Sequence, residues 1–161
     1  KDDKPAAVQG YRDERCISSV LATGSNQIAT SRYAYGSNYI LPTATIPTSS
    51  NMFSANSDLN GFLIPELVYD APMALKAMTI NGRAMYVYAS TTKSSQVLLM
   101  AYDASTKQLI GTTNVGATNP FAMANIIQTM DGGIAVLATT QVAGRFSRIA
   151  IFKIGKDELG W

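Results

Sequence analysis

An all-β fold follows from three features of this 161-residue sequence. Segments such as Tyr39-Ile-Leu, Met85-Tyr-Val-Tyr, Val97-Leu-Leu-Met and Arg148-Ile-Ala-Ile-Phe are rich in β-branched and aromatic residues, and clusters of Gly, Asn, Asp and Ser bound them. No segment keeps a helical apolar period beyond about three turns with caps at both ends. The third feature is internal repetition, which is the signal that decides architecture.

Shifting the sequence by 47 places sets residues 39–64 on 86–111 without a gap, with Tyr39 on Tyr86, Thr45 on Thr92, Met52 on Leu99, Asn56 on Asp103 and Phe62 on Leu109. A third copy follows: 81–92 matches 131–140, 96–103 matches 148–155, and 107–111 matches 156–160. The insertions fall in turns, where a structural repeat tolerates them. Each unit reads as a strand, a tight turn at Asn81-Gly82 or Asp131-Gly132-Gly133, two further strands, and the start of a fourth. Asn and Gly supply the positive φ that tight hairpin turns need.

Four short antiparallel strands in about 45 residues is the pattern of a β-propeller blade. The expected fold is therefore all-β with three propeller-like blades, forming part of a ring or a ring completed by an oligomer, with a β-sandwich as the competing architecture. Ile134-Ala-Val-Leu-Ala is apolar at every position and is expected to be covered on both faces. Residues 1–14 are expected to form a flexible leader, and 15–161 a single repeat domain with units at approximately 17–64, 72–111 and 120–161.

Composition narrows the chemistry. Hydrophobic residues make up 47% and charged residues 15%, which excludes a disordered tail. The basic residues behind the net charge of +2 are scattered and form no stripe with interleaved aromatics, so no nucleic acid is expected as partner. No apolar run approaches the roughly 20 residues of a spanning helix. A single cysteine, Cys16, leaves no disulfide within the chain, and the absence of histidine removes the commonest general base and the usual zinc sets. No cofactor, metal site or catalytic residue is expected.

Six of the eleven carboxylates lie near the ends, leaving Asp58, Glu66, Asp70, Asp103 and Asp131 in the middle. Asp70, Asp103 and Asp131 are the candidates for acid and base roles in a polysaccharide-cleaving enzyme, but Asp in a turn more often bonds its own backbone. The aromatic candidates are more promising. Alternation places Tyr33 and Tyr35 on one face, with Tyr39 near, and exposed tyrosines beside Asn and Ser are suited to sugars or peptides. Tyr33 and Tyr35 are therefore the expected ligand-binding residues, with ordinary packing as the competing role for them and for Tyr86 and Tyr88.

Residues 126–161 run as an apolar strand, Gln128-Thr129, Asp131-Gly132-Gly133, an apolar strand ending in Thr, a variable loop, a strand carrying Lys153, and a turn before Trp161. This resembles a blade repeat of secreted and surface proteins of the Bacteroidota. In that family Trp opens the fourth blade strand, so the resemblance implies either further blades or a closing strand from elsewhere, such as the segment around Val8 to Tyr11. Three blades are too few for a closed ring, which implies a fragment, a homo-oligomer or another chain at the open ends. The opening Lys-Asp-Asp-Lys-Pro is similar to the start of mature Bacteroidota lipoproteins, which implies an outer-membrane or cell-surface address with a lipid anchor outside this chain, or else a periplasmic one. The expected function is a non-enzymatic envelope binding or scaffold module that recognises a glycan or an envelope protein. The alternative is a polysaccharide-active hydrolase or lyase on a propeller scaffold.

Overall fold

The computed structural model describes residues 7–9, 15–46, 52–54, 61–69, 71–116, 119–141 and 146–161. Among them there is no helix, and the strands form three antiparallel sheets in chain order. The first sheet contains β2 (Arg15–Gly24), β3 (Gln27–Ala34), β4 (Ser37–Thr45) and β6 (Phe62–Leu63). The middle sheet contains β7 (Ala74–Ile80), β8 (Arg83–Thr91), β9 (Val97–Asp103) and β10 (Leu109–Val115). The third contains β11 (Phe121–Gln128), β12 (Ile134–Thr140) and β13 (Arg148–Ile154). Separately, β1 (Ala7–Gln9) pairs in parallel with β5 (Met52–Ser54).

Turn chemistry fixes the hairpins. Asn81 and Gly82, with φ of 52° and 76°, join β7 to β8, and Tyr35 and Gly36, with φ of 48° and 74°, join β3 to β4. Both are pairs of positive-φ residues, the arrangement that matches the twist of two-residue hairpins. Pro42 lies inside β4, where it cannot donate to a ladder. The sheet absorbs it at an irregularity: Ile28 pairs with Ala44 but Thr30 with Leu41, so β4 carries an extra residue beside the proline.

The middle sheet is covered on both faces, and all seven residues of β9 are buried. On one face Tyr86, Tyr88, Leu98, Met100 and Tyr102 pack with Ala29 and Ile40 of the first sheet. On the other, Val87, Ala89, Val97, Leu99 and Ala101 pack with Met123, Ile126, Val136 and Ala138 of the third. Polar ties reinforce both contacts. The Tyr88 hydroxyl donates to the Leu41 carbonyl at 3.0 Å, and the Met123 N–H donates to Thr91 Oγ1 at 2.9 Å. The first strands of the sheets stand next to one another, β2 by β7 and β7 by β11.

Several expectations change. The strand covered on both faces is not β12 but its counterpart in the middle sheet; β12 alternates between buried and exposed, because nothing among the described residues lies over its far side. The 47-place shift sets β4 against β8, a third strand against a second, whereas the match of 81–92 with 131–140 and of 96–103 with 148–155 pairs β8 with β12 and β9 with β13. Residues 156–160 form a turn and not a fourth strand. Within that turn Leu159 is buried in the core, and after it Trp161 lies against β10, where a Cβ on Gly111 would be 2.7 Å from the Trp161 ring. Val8 pairs with Phe53 in β5 and does not close the third sheet; Tyr11 lies outside the described residues.

Leu98 and Leu99 are adjacent and point to opposite cores. Leu98→Ala and Leu99→Ala are each expected to cost about 2–5 kcal/mol, measured by urea unfolding. In a sheet with one wet face only one of two neighbours would matter, so a cost under about 1 kcal/mol for either variant contradicts the two-sided burial.

Candidate functional site

The residues that carry the repeat pattern bind one another or the end of the middle sheet. The Gln128 side-chain amide accepts from the Thr79 N–H at 3.1 Å and donates to the Thr79 carbonyl, so it pairs with both main-chain groups of one residue near the end of β7 as a neighbouring strand would. Thr129 Oγ1 donates to Asp131, and Lys153 on β13 lies 2.5 Å from the same carboxylate. Gly132 has a φ of 84°, and a Cβ on Gly133 would come within 2.2 Å of the Ile154 carbonyl, so the turn excludes larger residues at both positions. Asn81 Nδ2 donates to the Trp161 carbonyl at 3.4 Å. Gln128 and Trp161 therefore tie the third sheet to the middle one, while Thr129, Asp131, Gly133 and Lys153 fix the turn and ladder of the third sheet itself.

The candidate acids are committed in the same way. Asp103 is buried at the β9–β10 turn, where Oδ1 accepts from the Ser105 hydroxyl at 2.5 Å, the Thr106 N–H at 2.8 Å and the Ser105 N–H at 2.8 Å. Its Oδ2 meets Arg83 Nε at 2.6 Å. These donors, the Ser105 hydroxyl foremost, hold the carboxyl far below the usual carboxylate range. Asp131 is pushed down to about 2, first by the hydrogen bond from Lys153 and then by that from Thr129. A general acid needs the opposite shift, toward the working pH. Asp103 and Asp131 sit in separate turns, and Asp70 lies outside the described residues.

The sign of the pH effect follows. An unfolded Asp titrates near about 3.9, so a depressed folded pKa contributes stability that is complete above about pH 5 and is lost as the pH falls toward 2. Asp131 belongs to a half-exposed pair, which solvent screens, so Asp103 has the larger effect. In thermal melts followed by circular dichroism, Asp103→Asn is expected to melt below the wild type at about pH 7, with the gap narrowing progressively as the pH falls below about 4. A gap that widens on acidification contradicts this assignment.

The tyrosines divide. Tyr33, on β3, is half-buried and its ring stands edge-on to Tyr69, with centroids 5.3 Å apart. Tyr35 does not continue that face: it occupies the hairpin turn at positive φ and is 66% exposed. Tyr39 projects from the other side of the sheet, under Arg32 at 4.9 Å. Tyr86 and Tyr88 are buried between the first and middle sheets. Burial raises the Tyr88 hydroxyl pKa well above its ordinary value and pushes Tyr102 up to about 12. The Tyr35-Gly36 pair was the signal that a turn interrupts the alternation.

The structure brings together a different group of residues. Ser19 and Val20 of β2, Pro72 to Lys76 at the start of β7, and Met123 to Asn125 of β11 line a groove of about 360 Å³ where the three first strands meet. Two ladder irregularities border it, one between Ile17 and Ser19 and one between Met123 and Asn125. Such bulges re-aim side chains. Here the first turns two successive hydroxyls to the same side, Ser18 Oγ at 2.8 Å and Ser19 Oγ at 2.5 Å from Ser31 Oγ. Thr30 Oγ1 donates to the Ser19 carbonyl at 2.6 Å and fixes the bulge. Lys76 is the one charged residue of the lining and is exposed. Sequence reading passed over this group because its members are far apart in the chain; the hint was Ser18-Ser19 inside a strand.

A second cleft of similar size lies between the first and middle sheets, with Leu98, Met100 and Tyr102 as floor and Glu66, Thr92 and Gln96 at its rim. No grouping of three or more metal-ligating carboxylates or cysteines occurs among the described residues. No family model, no curated protein and no solved structure matches the chain.

Proposed function

We propose that the chain is a non-enzymatic binding module of β-propeller type, carried on the bacterial cell envelope by a lipid anchor outside this chain, and that it holds a glycan in the groove between its first strands. The observation that carries this reading is the adjacency of β2, β7 and β11, the first strands of three successive meander sheets. In a propeller the first strand of each blade lines the axis, and this is where the bulged, hydroxyl-bearing backbone and Lys76 converge. The Ser19 hydroxyl and the Asn125 amide beside one cation form a surface suited to sugar hydroxyls or a sugar carboxylate. The exposed Tyr35 and the Tyr33–Tyr69 pair offer an aromatic contact at the tip of the first sheet.

The polysaccharide-cleaving alternative gains nothing from Asp103 and Asp131, since both are locked as anions in their own turns. The test is binding of the 161-residue chain to a panel of neutral and uronic-acid oligosaccharides by array, followed by calorimetry. Lys76→Ala combined with Asn125→Ala is expected to weaken the best oligosaccharide at least about tenfold, with an unchanged circular dichroism spectrum. Unchanged affinity moves the site away from the groove. Release of reducing ends from any member of the panel overturns the non-enzymatic reading.

A further inference from the structure

The third sheet has an apolar face that nothing among the described residues covers. Ile127 is 57% exposed, Leu137 38%, Ile149 76% and Ile151 72%. They are neighbours in the ladder, since Leu137 pairs with Ile151, Thr139 with Ile149, and Ile127 with Ala135. Met130 and Phe146, both almost wholly exposed, stand in the turns at its two ends. A patch of this kind on one sheet differs from scattered surface hydrophobics and marks an interface.

The middle sheet shows what such a face is for. Val87 and Leu137 fall at the same position after their hairpin glycines, Gly82 and Gly132, and their ladder partners are Ala101 and Ile151. Likewise Ala89 with Leu99 corresponds to Thr139 with Ile149. In the middle sheet all four of these positions are fully buried beneath the third sheet. The open face is thus the counterpart of one that is elsewhere covered by another sheet.

We infer that this face pairs with the same face of a second copy of the chain. Two observations favour a copy. On the outer face of the first sheet Ile28, Leu41 and Ala44 are buried and only the margins at Val20 and Leu63 are exposed, so that face offers less apolar surface for head-to-tail stacking of copies. Among the described residues, the third sheet therefore presents the broader uncovered apolar face. The face also carries a single charge, Lys153 at its margin, already paired with Asp131, so self-pairing brings no unpaired like charges together. Two such faces stack about 10 Å apart, and a patch meeting itself closes as a two-fold dimer. The pairing is independent of what the groove binds.

Light scattering on the eluting 161-residue chain at about 100 µM tests it, because assembly depends on concentration. The expected mass is twice 17.2 kDa. Ile149→Lys combined with Ile151→Lys is expected to elute as a monomer with the wild-type circular dichroism spectrum. Thr139→Arg, at an already exposed position on the same face, is expected to do the same and serves where the double variant fails to fold. A wild-type monomer, or a dimer whose mass is unchanged in the folded variants, overturns the inference, and a monomer leaves the face to a different chain.

Discussion

Everything in this fold leans on the middle sheet being buried on both sides. Its two faces are not alike: the one toward the first sheet carries three tyrosines with Leu98 and Met100, and the one toward the third carries Val87, Ala89, Leu99 and Ala101. A one-residue slip of β8 on β9 would exchange large for small side chains in both cores at once. That cost locks the register of the sheet and, through it, the placement of its neighbours. The Tyr88 hydroxyl bond to Leu41 fixes the first sheet by the same logic, since the phenol is buried and needs a partner.

Strand chemistry and the Gly-bearing hairpins were legible in the residues because they are local. Asn81-Gly82 has the positive φ values its composition implied. The correspondence between the middle and third units was legible too, anchored by two turns of the same type. That between the first and middle units was misread, since Tyr39 resembles Tyr86 in chemistry although one stands on a third strand and the other on a second. A period of two says that a segment is a strand and not which strand it is. Ile134 to Ala138 posed a related ambiguity: apolar composition permits burial on both faces, and only the arrangement of sheets decides whether a cover is there.

The candidate site was less legible than the fold for a physical reason. Its groove is made where three strands from different units come side by side, and the polar groups that mark it are one serine, one lysine and one asparagine, which sequence cannot distinguish from ordinary turn or strand residues. The carboxylates and tyrosines drew attention because their chemistry is conspicuous. Asp103 and Asp131 are spent on turn geometry, and Tyr86 and Tyr88 on packing.

The Gln128 amide grips the main-chain N–H and C=O of Thr79 and no hydrogen bond runs from it to the side chain. A joint of this kind asks nothing of the residue it holds, because every amino acid except proline offers the same N–H and C=O. The middle and third units could therefore drift apart in composition while keeping their relative placement, provided the third kept the Gln128 amide at the end of its opening strand. This reconciles a fixed joint between these two sheets with units that share so little wording.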